Sequence, residues 1–485
     1  MRFLVQSGIC LAVLCTAALA LAEGPDRSGL PTPGKETTYV APAVQTYTLE
    51  NGVSVWHIQQ DQAPLVSMQV ILPRGASTDP ADKAGTASMM VDMLDEGAGD
   101  RDALQISDAF AQLATDYNAS ASTDTVVFSL NMLAEELTPS LALLTEIITT
   151  PTFPQKDFDR IKAQRESRAI QTEADPSSTA FVVARRVMFQ DGYGAIGAAG
   201  TRDTLARITL EDVKAAYASL IQPAGATIVA VGAVDKETLL TALNGSLGTW
   251  KAPAEASEAT PAAVNPEPAA RGIHFVDFPG SSQSMVIVAR RAPGNKADDY
   301  FPATVFNREF AGGFTGRINM NLREDKGYTY GARGGFIRSN QAGTYAIYSK
   351  VKSETTRASL DEILGELTMI HGDKPLTEAE LSAAKGNLIK KFPARFERIS
   401  SVAGQLGSVA AKDYPADWFS QWVGKVNAVD LAAATETGRK YTDPAGFHII
   451  VAGDWARIGE SLKGLEMPLF FYDAQGNRIE APAAK

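Results

Sequence analysis

Arg323 and Tyr330 are the residues whose types and spacing invite chemistry. An Arg presents a rigid fork of donors and a Tyr a single O–H, a pair suited to holding a carbonyl oxygen as it gains negative charge. The stretch that carries them, FAGGFTGRINMNLREDKGYTYGARGGF over residues 310–336, holds a glycine-rich turn (Gly312, Gly313, Gly316) and a short helical run over 318–325. Gly327 follows, where a helix C-terminus calls for left-handed backbone, and a strand opens at Tyr328-Thr329-Tyr330. The reversal at Gly327 lets Arg323 and Tyr330 come to the same side of the turn. Such a grip is chemistry without a nucleophile. The glycines lack the Lys-Ser/Thr of a phosphate-binding loop, so they read as backbone turns.

The elements that must position this pair are spread over a mixed α+β pattern. TYTLENGVSVWHI carries an Asn51-Gly52 hairpin signal between two strand-like runs, and residues 65–72 and 126–130 read as strands. Helical periodicity covers 85–94, 103–113, 137–148 and 156–171. Three features of the first half recur in the second at one offset of 221: Ile208-Thr209-Leu210 as Val429-Asp430-Leu431, Pro223-Ala224 as Pro444-Ala445, and Val229-Ala230-Val231-Gly232 as Ile450-Val451-Ala452-Gly453. Leu143-Leu144 matches Ile363-Leu364 at 220 and Lys162 matches Lys385 at 223, as small indels would produce. The chain is therefore expected to hold two related α+β halves, residues 45–250 and 271–475, each a mixed or antiparallel sheet with helices packed on one side. Residues 251–270, rich in Ala, Pro and Glu, read as the linker and 476–485 as a tail.

Residues 1–22 read as a cleavable secretory signal: Arg2, an apolar run over 9–21, and Ala20-Leu21-Ala22 before Glu23. A flexible segment over 23–44 follows. An exported, periplasmic or similarly located protein without a membrane span is expected. Both cysteines, Cys10 and Cys15, lie within the signal, so neither a disulfide nor a thiolate metal site is expected in the mature chain. The formal charge of −11 becomes −12 without Arg2, and the scattered Lys and Arg give no footprint for nucleic acid.

The run Leu322-Arg323-Glu324-x-x-Gly327-Tyr328-x-Tyr330, preceded by Gly312-Gly313-x-x-x-Arg317, resembles the C-terminal half of pitrilysin/insulinase-type zinc peptidases, the processing peptidases among them. The resemblance implies that Arg323 and Tyr330 are a substrate-gripping pair and that the two halves form a clamshell around a peptide-holding chamber. It also implies an H-x-x-E-H helix in the first half, two His holding zinc and the Glu activating water, with a third ligand downstream. The frame of that helix is present, from Arg74-Gly75-Ala76 to Met93-Leu94-Asp95-Glu96-Gly97, but Ser88, Val91 and Asp92 stand at the His, Glu and His positions. Arg168 stands at the third-ligand position.

His57, His274, His371 and His448 are scattered, and none has a partner at i+3 or i+4. Asp92, Asp95 and Glu96 without a His or a glycine-rich calcium loop read as a solvated face. No metal or cofactor is expected on this chain, which has no G-x-S-x-G elbow and no G-x-G-x-x-G opening a helix after a strand. The expected function is that of a non-catalytic, substrate-binding subunit of a heterodimeric exported zinc endopeptidase. Zinc would sit on a homologous partner with an intact H-x-x-E-H, and Arg323 and Tyr330 would hold the scissile carbonyl. The alternative is a non-enzymatic peptide-binding or scaffold protein of the cell envelope with the same fold.

Overall fold

The Asn51-Gly52 pair turns the chain as expected, with Gly52 at φ +87°, and joins β1 (Gln45–Thr48) antiparallel to β2 (Ser54–Gln59). The computed structural model describes residues 39–253 and 258–481. The secretory-signal reading of 1–22, most of the segment 23–44 and the end of the tail lie outside the described residues.

Four further strands complete the first sheet: β3 (Leu65–Leu72), β4 (Asp116–Ala121), β5 (Val126–Leu133) and β6 (Thr227–Gly232). The order is β1-β2-β6-β3-β5-β4, with β2 and β6 parallel and the other pairs antiparallel. The second sheet contains β7 (Ile273–Asp277), β8 (Gln283–Pro293), β9 (Thr329–Arg338), β10 (Ala342–Lys352), β11 (His448–Gly453), β12 (Leu469–Tyr472) and β13 (Arg478–Ile479). Its order is β9-β10-β8-β11-β7-β12-β13, with β7 parallel to both β11 and β12. Five strands thus follow one plan in both sheets. β2-β6-β3-β5-β4 corresponds to β7-β11-β8-β10-β9, and β6 and β11 are the strands that repeat at an offset of 221.

The repeat extends to single contacts. Lys162 Nζ donates to the carbonyls of Ala206 and Ile208 (2.8 and 2.9 Å), and Lys385 Nζ to those of Asn427 and Val429 (2.6 and 2.8 Å). The same lysine therefore clasps the same helix approach in each half.

The helices that matter to the site are α1 (Thr86–Met93), α2 (Gln155–Ala174), α3 (Pro176–Phe189), α4 (Tyr300–Phe310), α5 (Thr356–Met369) and α6 (Ile399–Ala411). Side chains alternate across a strand. On β3, Val66, Met68, Val70 and Leu72 enter the core of the first half. Gln69 and Ile71 point to the opposite face, where α6 of the second half covers them; a Cβ on Gly407 would lie 1.8 Å from Gln69 Oε1.

The reciprocal arrangement holds in the second sheet. Met285, Ile287 and Ala289 of β8 pack against Ala180, Val183, Ala184 and Val187 of α3. Each sheet therefore has helices of its own half on one face and one helix lent by the other half on the second, an exchange absent from the sequence reading. The described residues from Ala41 onward accordingly form a single compact unit. The described part of 251–270 has no helix or strand, but it is strapped down: Ala262 N donates to Ser77, Tyr193 N to Ala263, and Ala269 N to Val187.

Candidate functional site

The motif around Arg323 is built on α4 and a tight turn. Gly312 N and Ala311 N both donate to the Asn307 carbonyl (2.6 and 3.1 Å), and a Cβ at Gly312 or Gly313 would lie 2.5–2.6 Å from Asn307 or Arg308 atoms. Close approach requires these glycines, whereas φ does not: of the motif's glycines, Gly327 is the one with left-handed backbone, at φ +66°. From Gly316 the chain enters a helical turn, Arg317–Asn319, that widens into a π-helical stretch, Met320–Asp325, a geometry common at functional sites. Asn321 Nδ2 fixes that stretch to Glu362 and Glu366 of α5 (both 3.0 Å). Asn319 ties it to the strand by accepting from Ala332 N at 3.0 Å.

Arg317 is an anchor. Its guanidinium is bidentate to Glu380 (both 2.7 Å) and donates to the Lys374 and Pro375 carbonyls. Arg323 lies over the Phe314 ring at 4.5 Å with Glu324 at 3.4 Å. Tyr330 stands in a bulge of β9, where two residues, Tyr330 and Gly331, oppose Lys350 between the pairs Thr329–Val351 and Ala332–Ser349. The bulge turns its ring out of the ladder, leaving it 94% exposed. Arg323 and Tyr330 are not joined by a hydrogen bond or ring contact: the Tyr330 ring is free to meet a ligand, whereas the half-buried Arg323 guanidinium rests on Phe314 beside Glu324 and would have to leave them to reach one.

In the first half, the positions of the expected metal site do converge. Val91 and Asp92 of α1 and Arg168 of α2 line one cavity of about 290 Å³ with Tyr117, Asn118 and Ala119 of edge strand β4. Ser88 joins them through its carbonyl. The residue that holds the centre is Arg165, which the sequence reading missed. Its guanidinium lies 2.7 and 2.9 Å from Asp92 Oδ2 and donates to Ser88 O at 2.8 Å. Arg165 lies one helical turn before Arg168, on the α2 surface that crosses α1.

This donor set does not fit a metal ion. A serine, a valine and one carboxylate already paired with a guanidinium offer no imidazole, and that guanidinium puts a fixed positive charge beside the one carboxylate. Among the described residues no group of three His, Cys, Asp or Glu could hold a metal ion.

The cavity is nevertheless polar and strained electrostatically. Burial raises the Asp95 carboxyl to about 6, with Glu96 and Asp92 adding to the rise. Burial, reinforced by Asp95 and Asp92, drives the Tyr117 phenol well above its ordinary value, and its Oη has no hydrogen-bond partner among the described residues. The α1 N-terminus is held by Asp79, which accepts from Gly85 N (2.9 Å) and Ala87 N (3.0 Å).

The histidines scattered in sequence are not all apart in space. His274 and His448 lie on neighbouring strands β7 and β11, 3.2 Å apart through Nε2 and Nδ1, and Tyr472 Oη closes the row at 3.1 Å from His274 Nδ1. The row is buried within the sheet. His57 is likewise structural, its Nε2 at 3.0 Å from the Val234 carbonyl.

Two family models match the chain: one described as insulinase (peptidase family M16) over residues 55–191, and one described as peptidase M16 inactive domain over residues 207–388. The chain is similar to the non-peptidase homolog YmxG of Helicobacter pylori, at 24% identity over 72% of this chain and 80% of that protein. It is also similar to an uncharacterized zinc protease of Streptomyces coelicolor, at 22% identity over 67% and 71%. Among solved structures, a peptidase M16 inactive domain from Pseudomonas fluorescens superposes with TM-score 0.77 and 24% identity, covering 85% of this chain and 98% of that one. A protease from Helicobacter pylori gives the same TM-score at 17% identity, covering 85% and 100%. At these identities the structural likenesses establish the fold.

Proposed function

Because this chain belongs to the M16 (insulinase) peptidase family and carries a guanidinium where a metal would sit, we propose that it is the non-catalytic, peptide-binding subunit of an exported zinc endopeptidase. A homologous partner with an intact H-x-x-E-H supplies metal and water. This chain supplies Arg323 and Tyr330 to grip the scissile carbonyl, together with part of the wall of the chamber that holds the peptide. What supports the reading is a contrast: the Arg165–Asp92 ion pair fills the cavity of the first half, while Tyr330 stands exposed on its bulge and Arg323, resting on Phe314, lies on the helical stretch just before it. Export rests on the signal read in residues 1–22.

Donors aimed at a developing oxyanion are worth about 10²–10³ in rate. The test is to co-express the chain with an H-x-x-E-H homologue from the same source and assay peptide digestion by each protein and by the mixture. Digestion is expected from the mixture, with zinc on the partner. In the mixture, Arg323→Ala is expected to lower turnover by about 10²-fold with the complex still eluting intact. Full turnover with Arg323→Ala would refute the assigned role.

A second reading, a peptide-binding scaffold without a catalytic partner, is favoured by the stacking of Arg323 on Phe314 and by the name of the Helicobacter pylori relative. It predicts peptide binding by the chain alone and no zinc-dependent cleavage in any mixture.

A further inference from the structure

A second cavity, of about 260 Å³, lies between α2 and α3 and is closed by residues 195–202 and by the turn at Ala474 and Gln475. We propose that it binds an apolar carboxylate: a compact hydrophobic body carrying one free carboxyl group. Its walls combine apolar surface, such as Ala169, Phe181, Val182 and Ile196, with an excess of cations.

Five arginines line it, at 165, 168, 185, 186 and 202, against one carboxylate, Glu173. Arg165 is committed to Asp92, and Arg202 faces Glu173 at 3.3 Å. Arg186 reaches the Gln190 carbonyl at 3.4 Å, and Arg185 reaches the Gly194 carbonyl at 3.5 Å, the limit of a hydrogen bond. Arg168 has no carboxylate within ion-pair distance among the described residues. Arg186 also has Asp191 and Asp473 nearby as counter-charges, but a guanidinium buried against apolar surface without one is costly, and burial pulls the Arg185 value down accordingly. A carboxylate accepting from Arg185 and Arg168 would offset that cost with charge-assisted hydrogen bonds. The volume lies just below the range of about 300–1,000 Å³ usual for ligand sites, enough for one or two residues.

Arg165 and Arg168 also line the cavity beside β4, so the two spaces share a wall. The ligand chemistry has two sources: the C-terminal residue of a peptide laid along β4, which rests on the proposed function, or a free short-chain aliphatic acid, which does not.

Calorimetric titration of the full chain with N-acetyl-Ala-Leu, its C-terminal amide and octanoate separates them. The free acid is expected to bind at least about tenfold more tightly than the amide, the value of one charge-assisted hydrogen bond. Arg168→Gln, at an exposed side chain with no ion pair to lose, is expected to reduce that preference without moving the melting temperature. Arg185→Gln is expected to abolish it. Octanoate binding without the peptide acid upholds the site and assigns it to free acids. Equal binding of acid and amide, no binding of either acid by the folded chain, or a preference that survives both substitutions would overturn the proposal. A long peptide blocked at both ends is the control: if it binds while the carboxylates do not, this site fails and the peptide-binding function stands.

Discussion

At the residue scale, the chemistry turns on which cation sits beside Asp92. Reading the family positions identified Ser88, Val91, Asp92 and Arg168, yet the ion pair is made by Arg165, because the way α2 crosses α1 decides which turn faces it, and one sequence does not fix that crossing. Restoring ligands alone should therefore fail. A chain with Ser88→His, Val91→Glu, Asp92→His and Arg168→Glu is expected to hold no stoichiometric zinc after dialysis, because the Arg165 charge stays within the site. Adding Arg165→Gln should allow binding, as measured by metal analysis. Tight zinc in the variant that retains Arg165 would show that the guanidinium is not the obstacle.

Charge burial at single residues also sets the pH dependence. Burial lowers His274 to about 3 and His448 to about 4, each helped by a neighbouring positive group, so both are neutral in the folded chain. Unfolded histidines titrate near 6.5. Their contribution to stability is thus complete above about 6.5 and is lost as pH falls towards the folded values. Buried Asp79 and Asp95 do the reverse. Their carboxyls are raised to about 7 and about 6, chiefly by burial, and in Asp79 this outweighs the backbone N–H groups that favour the anion. They bind protons in the folded chain that the unfolded chain has released, so stability falls as pH rises from about 4 to 7. The two pairs oppose each other, and a shallow profile is expected between about pH 4.5 and 6.5. Asp79→Asn removes one opposing group and should steepen the rise of unfolding free energy with pH by up to about 1.4 kcal/mol per pH unit. Urea titrations across that range measure the slope, and an unchanged slope would mean that Asp79 is not protonated there.

At the element scale, strands were legible because alternation and hairpin chemistry are local, and so was the stop at Gly327, where backbone handedness selects the residue. The exchange of α3 and α6 was not legible. Both helices are amphipathic, and an apolar stripe does not say which sheet it will cover. The π-helical widening at Met320–Asp325 and the bulge at Tyr330 are likewise products of tertiary ties, from Asn321 to α5 and from Asn319 to β9. The exchange has a thermodynamic consequence. Met188 on α3 is 1% exposed and packs with the second sheet, so Met188→Ala is expected to cost about 2–5 kcal/mol. With each half holding a helix of the other, that loss should lower one shared unfolding transition, read equally by calorimetry and circular dichroism. Two separated transitions, with one unmoved by the substitution, would show that the halves fold independently.

At the scale of the whole molecule, the constant offset of 221 found in the sequence reappears as one strand order used twice, so the duplication was legible even where individual helix contacts were not. Duplication leaves two equivalent edges, β4 in the first sheet and β9 in the second. β4 borders the cavity of Asp92, Arg165 and Tyr117, and its residues alternate between exposed and half-buried along Asp116–Ala121. An edge strand offers a row of unpaired N–H and C=O groups, and an extended peptide can add to it through main-chain hydrogen bonds. If peptides bind the chain in this way, recognition reads the backbone first and side chains second. Scrambling the sequence of a bound peptide should then change affinity little. Methylating alternate backbone nitrogens that face the edge should weaken it by about two- to twelvefold per lost bond, since each bond is worth about 0.5–1.5 kcal/mol. Fluorescence anisotropy with labelled peptides distinguishes the two, and affinity that follows sequence but ignores N-methylation would place the peptide somewhere other than the edge of β4.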